Sequence, residues 1–234
     1  MVRSRKIQLK TTKLIVIGSG GHARVVIDAA KKSGFNIQGI IDTNYLGQDE
    51  KILGFPVIGD IKSLSNFSSK NTAIAIAIGD RNNRIEYYEK VKNIGFSTPP
   101  IIHPNVFISD SATINCGVFV NVGSIINADA KIGENTIVNT SALIEHEVVI
   151  GKNCHICPGV KLGGRVKVGD NTFIGIGASV IDYINIGEDV TIGSGSVIIR
   201  NIDAHSTVVG IPGKTIKWFY KKTFTFPLEL LREK

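Results

Sequence analysis

Five histidines carry most of the acid–base chemistry open to this chain, because imidazole is the side chain that changes charge near neutral pH. His146 lies in Leu143-Ile144-Glu145-His146-Glu147, between two carboxylates that can orient its ring and raise its basicity. It reads either as a general base or as an ordinary surface histidine between two solubilising glutamates. His155 lies in Cys154-His155-Ile156-Cys157-Pro158-Gly159, where C-x-x-C invites a metal or redox reading. No second ligand pair accompanies it, so no metal is expected. His22 closes the glycine-rich run Ser19-Gly20-Gly21. His103 and His205 stand where a repeat begins and dissolves, and read as structural or surface residues. Cys116, Cys154 and Cys157 are too few for a disulfide framework in 234 residues and read as reduced thiols.

That repeat is what must position the chemistry. Every sixth residue is aliphatic through Ile102, Ile108, Ile114, Val120, Ile126, Ile132, Val138, Ile144, Ile150, Ile156, Leu162, Val168, Ile174, Val180, Ile186, Ile192 and Ile198. Four residues after most of these comes a small or β-branched residue, such as Val118, Ala130, Thr136, Ala142, Cys154 or Ala178. The residue just after the aliphatic is often Gly or Asn, a choice suited to the backbone angles of a tight corner. Neither an α-helix nor a simple strand hides one residue in six. A triangular coil does, with three six-residue sides making an 18-residue turn and successive turns stacked about 4.8 Å apart in parallel sheets. Such stacking puts His146 under Gly164 and Ile176 under Ser194. His146 and His155 fall half a turn apart, on opposite sides of the prism. They can serve one site only across a subunit boundary, as in a cyclic oligomer.

Residues before the repeat follow another rule. Leu14–Gly18 reads as a buried strand, the stretch from Ala23 to Gly34 as a helix with Gly34 at its C-cap, and Ile37–Asp42 as a second strand. A third core strand ends at Gly79-Asp80, and a second helix stops at Gly95. Alternating strands and helices imply a small parallel sheet of Rossmann type. Gly18, Gly20 and Ala23 satisfy the dinucleotide fingerprint, with Asp42 about twenty residues on. The segment holds one mononucleotide half and no second, which argues against an NAD-dependent oxidoreductase. The strand ends still make a crevice where a helix N-terminus favours phosphate.

Composition narrows the partners. A net charge of +7 suits a polyanion, but lysine and arginine are spread along the chain without an RNA-binding signature, so no nucleic acid is expected. Coenzyme A and nucleotide sugars are polyanions too. The longest apolar runs fall far short of the roughly 20 residues of a membrane span, and the basic start precedes a strand and not a long apolar segment. No membrane association and a cytoplasmic location are therefore expected.

Together these residues resemble the hexapeptide-repeat acyltransferases, in the branch that acetylates sialic acids and nucleotide-linked amino sugars. The resemblance rests on Ile17-Gly18-Ser19-Gly20-Gly21-His22, on Asn139-Thr140 through Glu145-His146-Glu147, on His155, and on Val209-Gly210-Ile211-Pro212-Gly213-Lys214. It implies an α/β Rossmann-like half-domain followed by an all-β left-handed parallel β-helix, assembled as a homotrimer with sites between subunits. The expected division is 1–98 for a nucleotide-sugar-binding domain, 99–208 for the β-helix and 209–234 for a C-terminal tail. By the same resemblance His146 is the general base with Glu147 tuning it, and His155 meets acetyl-CoA near its thioester. Gly164, Ile176 and Ser194 line the cofactor, and Gly20, Gly21, His22, Asp42, Thr43 and Gly79 hold the nucleotide sugar. Acetyl-CoA is the co-substrate. N-acetylation of a nucleotide-linked amino sugar for bacterial surface glycans leads. O-acetylation of sialic acid or another sugar, or a catalytically silent assembly module, are the alternatives.

Overall fold

A computed structural model describes residues 13–42, 44, 45, 47, 49–216 of the chain. The aromatic C-terminal stretch and Thr43 lie outside the described residues.

The first layer is an α/β sheet. Strands β1 (Lys13–Ile17), β2 (Asn36–Ile41), β3 (Lys51–Ile52), β4 (Phe55–Gly59) and β5 (Thr72–Ile76) stand in the order β3-β4-β2-β1-β5. All neighbours run parallel except the β3–β4 hairpin, which lies in a stretch the sequence reading left unassigned. Helix α1 (Gly21–Lys32) links β1 to β2, and α2 (Arg81–Ile94) follows β5. Leu14, Val16, Ile40 and Ala75 pack with α1, while Ile15, Ile17, Ile41 and Ile74 pack with Tyr88 and Val91 of α2. Burial on both faces explains why β1 and β5 are apolar almost throughout. Gly95, with φ 92°, ends α2 as expected.

The second layer is the coil. Each aliphatic of the six-residue series is the second residue of a two-residue strand. The strands stack with an 18-residue offset into three parallel sheets. The first face carries Ile101–Ile102, Phe119–Val120, Ile137–Val138, His155–Ile156, Phe173–Ile174 and Thr191–Ile192. It ends in Thr207–Val209, which turns back antiparallel on Lys214–Ile216. The second face runs from Phe107–Ile108 through Leu143–Ile144 and Lys161–Leu162 to Val197–Ile198. The third runs from Thr113–Ile114 through Val149–Ile150 to Asn185–Ile186. The aliphatics from Val120 onward and the small residues four positions later are buried in one continuous core.

One expectation about the corners needs correcting. The left-handed backbone does not fall just after the aliphatic but three residues after it, at Asp129, Asn135, Ser141, Glu147, Asn153, Arg165, Asn171, Tyr183 and Asp189. The glycines that follow the aliphatics serve contact instead. A Cβ on Gly133 would run into the Gly151 backbone, and one on Gly169 into Gly187 and Glu188 of the next turn. Coils stacked at strand spacing leave no room for a side chain there. Seating Glu147, Arg165 and Tyr183 at left-handed φ costs on the order of 1 kcal/mol each relative to ordinary backbone. The same left-handed corner recurs at Asp129, Asn135, Ser141, Asn153, Asn171 and Asp189, so the coil geometry sets it.

Candidate functional site

The two layers meet on the first face of the coil. Its outward positions read Ile101, Phe119, Ile137, His155, Phe173, and the first three are buried together with α1. The covering layer ends near His155. There, the His22 ring stands edge-on to Phe119 at 5.4 Å and 6.4 Å from the His155 ring, whose other side meets Phe173 at 5.4 Å. Burial, aided by the Arg84 charge, lowers the His22 imidazole to about 4 and the His155 imidazole to about 3. Both rings are therefore neutral at physiological pH.

The tautomer of His155 follows from its neighbour. Asn139 Oδ1 accepts from Asn121 Nδ2 at 3.1 Å and from the Thr140 backbone at 2.8 Å, so its carbonyl is spoken for. Asn139 Nδ2 is then the donor toward His155 Nε2 at 3.4 Å, which leaves the ring proton on Nδ1. Among the described residues His22 Nε2 is a buried side-chain nitrogen with no hydrogen-bond partner.

His22 also opens a crevice. A cavity of about 370 Å³ is lined by Gly18, Ser19, Gly20, Gly21, His22, Asp42, Asn44, Ala77, Ile78 and Gly79. Five of the six expected acceptor-binding residues are among these, and the sixth, Thr43, lies outside the described residues. Gly20 is the N-cap of α1 and supplies no side-chain cap, so the first N–H groups of the helix are left for another partner. A Cβ on Gly20 or Gly21 would meet nothing within 4 Å. Openness, and not strain, is what these two glycines provide. Asp42 Oδ1 accepts from the Asn44 backbone at 2.9 Å, which orients the carboxylate at the end of β2.

Arg84 holds this seam. It is 1% exposed, and its three nitrogens donate to the Gly79 carbonyl at 3.1 Å, Asn135 at 3.3 Å and Asn153 at 2.9 Å. Asn135 and Asn153 are the same corner on successive turns, and a side-chain ladder runs Asn135 to Asn153 to Asn171. Arg81 takes the next rungs, donating to Asn171 O at 2.6 Å and pairing with Asp189 at 3.2 Å. Burial lowers Arg84 to about 10, still far above neutrality. Sequence reading did not single out Arg84. Its signal was the i, i+3 arginine pair at the start of α2.

His146 stands apart, at a corner bordering the second face. Its Nδ1 lies 3.1 Å from Glu147 Oε2, and its side chain is about half exposed. A Cβ on Gly164 would lie 2.7 Å from His146 Cε1 and Nε2. The stacking deduced from the 18-residue offset is therefore present. Ile176, 59% exposed, and Ser194 share the next corner around, so the four residues stand on two corners flanking the second face and not in one column. His155 faces the α/β layer while His146 faces solvent elsewhere on the prism. Both cysteine thiols of the C-x-x-C are buried in the coil's core, free of disulfide and raised to about 12. Neither is a nucleophile at neutral pH. Among the described residues no group of three His, Cys, Asp or Glu is placed to hold a metal ion, and no helix is long and apolar enough to cross a membrane.

Residues 13–91 match the PglD N-terminal domain family, and residues 129–164 and 165–200 match the bacterial transferase hexapeptide repeats. The perosamine N-acetyltransferase of Caulobacter crescentus, solved with CoA and GDP-perosamine, is 35% identical. The similarity covers 88% of this chain and 97% of that one, with a TM-score of 0.82. The chain belongs to the hexapeptide-repeat sugar acetyltransferases. The acetyltransferase domain of PglB from Neisseria gonorrhoeae, also solved with acetyl coenzyme A, is 33% identical over 88% of this chain and 100% of that one (TM-score 0.83). WeeI of Acinetobacter baumannii shares the fold at 23% identity and a TM-score of 0.78. An uncharacterized protein of Acanthamoeba polyphaga mimivirus is 34% identical over 119 residues, which spans 23% of that curated relative. Hexapeptide-repeat sugar acetyltransferases use acetyl-CoA, and the left-handed parallel β-helix implied by the resemblance is the fold of this group.

Proposed function

We propose that the chain transfers an acetyl group from acetyl-CoA to the amino group of a nucleotide-linked amino sugar, with His146 as general base. The observation that carries this reading is the His146–Glu147 pair at 3.1 Å, seated on Gly164, in a chain 35% identical to a solved GDP-perosamine N-acetyltransferase. The α/β layer within 1–98 binds the nucleotide sugar, its phosphates at the uncapped start of α1 and Asp42 on the nucleoside side. The coil, within 99–208, binds acetyl-CoA along the second face, past Gly164, Ile176 and Ser194.

The chemistry is direct. The sugar amine attacks the thioester carbonyl, a C–N bond forms, the C–S bond breaks and the CoA thiolate leaves. His146 Nε2 takes the proton the amine sheds, while Glu147 holds Nδ1 and balances the imidazolium charge. Buried, protonated thiols at Cys154 and Cys157 support direct transfer over an acyl-enzyme. His155, neutral with its proton on Nδ1, is suited to donate to the thioester oxygen as it gains charge. His146 and His155 on different sides of one prism fit a homotrimer whose active sites lie between copies, one histidine from each. Such an activity suits surface-glycan assembly in a bacterium.

Thiol release from acetyl-CoA tests the reading, with GDP-perosamine, other nucleotide amino sugars and free sialic acid as acceptors, for wild type and His146→Ala. Turnover of a nucleotide amino sugar that collapses in the variant is the expected result. Turnover of sialic acid alone would replace N- by O-acetylation, and an unimpaired variant would remove His146 from the mechanism.

A further inference from the structure

Glu147 does not serve His146 alone. Arg165, at the same corner one turn along, donates from Nε to Glu147 Oε2 at 2.7 Å, and that same oxygen lies 3.1 Å from His146 Nδ1. Arg165 Nη1 in turn donates to the Tyr183 hydroxyl at 2.6 Å, again one turn along, with its guanidinium 5.3 Å from the Tyr183 ring centre. Glu147, Arg165 and Tyr183 all sit in left-handed backbone, at φ 58°, 63° and 65°. The strained corner of three successive coils thus presents a carboxylate, a guanidinium and a phenol in one hydrogen-bonded line beside the base.

We propose that Arg165 is a positioning residue for acetyl transfer, which pins the Glu147 carboxylate against His146 and sets the pH at which the base becomes competent. This rests on His146 being the base. A carboxylate shared with a permanent cation gives less of its charge to an imidazolium than one held by histidine alone. The cation also opposes the proton arriving on the neighbouring ring. Arg165 therefore offsets part of the support that the Glu147 carboxylate would give to a protonated His146 ring. The other charged or titratable groups around the corner are Glu145, whose carboxylate accepts from the His146 backbone at 3.3 Å, Asp182, which accepts from the Gly164 backbone at 2.7 Å, and Asp129, at the same corner one turn earlier. None of these is bonded to the Glu147 carboxylate, so Arg165 is the group that competes for it. Hydrogen bonding from Arg165, and then from His146, holds the Glu147 carboxyl below the usual range against an opposing desolvation.

The test is a histidine 13C NMR titration of the full-length protein, with the His146 resonance assigned by its loss in His146→Ala. The pH dependence of acetyl-CoA turnover with GDP-perosamine runs in parallel. Arg165→Gln should move the His146 midpoint, and with it the acid limb of the rate profile, upward. Arg165→Lys, which keeps the charge, should restore most of that shift while losing the fixed geometry and some rate. Arg165 is exposed, so both variants should fold. A His146 midpoint unchanged in Arg165→Gln overturns the proposal whatever the rate does. A moved midpoint in a protein whose turnover ignores His146→Ala would instead uphold the column and overturn His146 as base.

Discussion

Two histidines nine residues apart in one repeat live in opposite surroundings. His155 is closed in by His22 and Phe173 at a seam between layers, where burial keeps it neutral. His146 stands at an open corner beside a carboxylate that is itself bonded to arginine. Yet both follow the same six-residue rule, one on the strand and one at its turn. The coil supplies a lattice of equivalent positions, and what covers each position decides its chemistry. Seam positions suit neutral donors and acceptors that do not change charge, whereas corner positions suit a group that must take up a proton and release it again.

The sharpest way to break that contrast is to truncate each ring. His146→Ala should lower kcat by about a thousandfold, the general-base range, whereas His155→Gln should lower it by only about tenfold and raise KM for acetyl-CoA. Steady-state kinetics on the same acceptor separates them, and equal losses would mean the two surroundings are not functionally distinct. Next in size is the seam itself. Arg84→Met leaves the Gly79, Asn135 and Asn153 carbonyls without their donor and should cost about 3 kcal/mol of stability or more, read as a lowered thermal midpoint. Arg84→Lys should recover only part, since one ammonium cannot span three carbonyls in a planar fork.

At the open corner the matching variant spares stability. Gly164→Ala puts a methyl 2.7 Å from the His146 ring atoms, but the ring is the free end of an exposed side chain and can swing away. Folding should be nearly unchanged while kcat drops by about ten- to a hundredfold through the displaced base, as paired denaturation and turnover measurements would reveal. The seam should also respond to acid. His22 and His155 are lowered to about 4 and about 3 in the fold, so unfolded imidazoles with an ordinary value near 6.5 bind protons first. Stability should therefore fall as pH drops from about 6.5 toward 3. His155→Phe should flatten that fall, measured as the denaturant midpoint at pH 7 and pH 5.

Much of this was readable beforehand because the coil is a one-dimensional object. A side chain in six must point inward, so the aliphatic series placed every coil strand from Ile101–Ile102 to Val197–Ile198 and predicted the His146–Gly164 stacking. The α/β strands were legible from burial on both faces. The hairpin of Lys51–Gly59 was not, since a two-residue strand leaves no period to detect. The corner glycines were misread because spacing shows where a residue recurs and not whether backbone angle or close contact demands it. Arg84 and Arg165 escaped notice for a related reason. Their partners are carbonyls and carboxylates one or more turns away, and only stacking in three dimensions makes them neighbours.

The asparagine corner gripped by α2 has a consequence in time. Arg84 and Arg81 close on Asn135, Asn153 and Asn171, residues made well after α2 itself. On the ribosome the helix emerges early, yet its arginines find no seat until several coils have wound. The α/β layer thus carries a latch that is synthesised before its catch, and winding of the coil is what supplies the carbonyls that Arg81 and Arg84 close on.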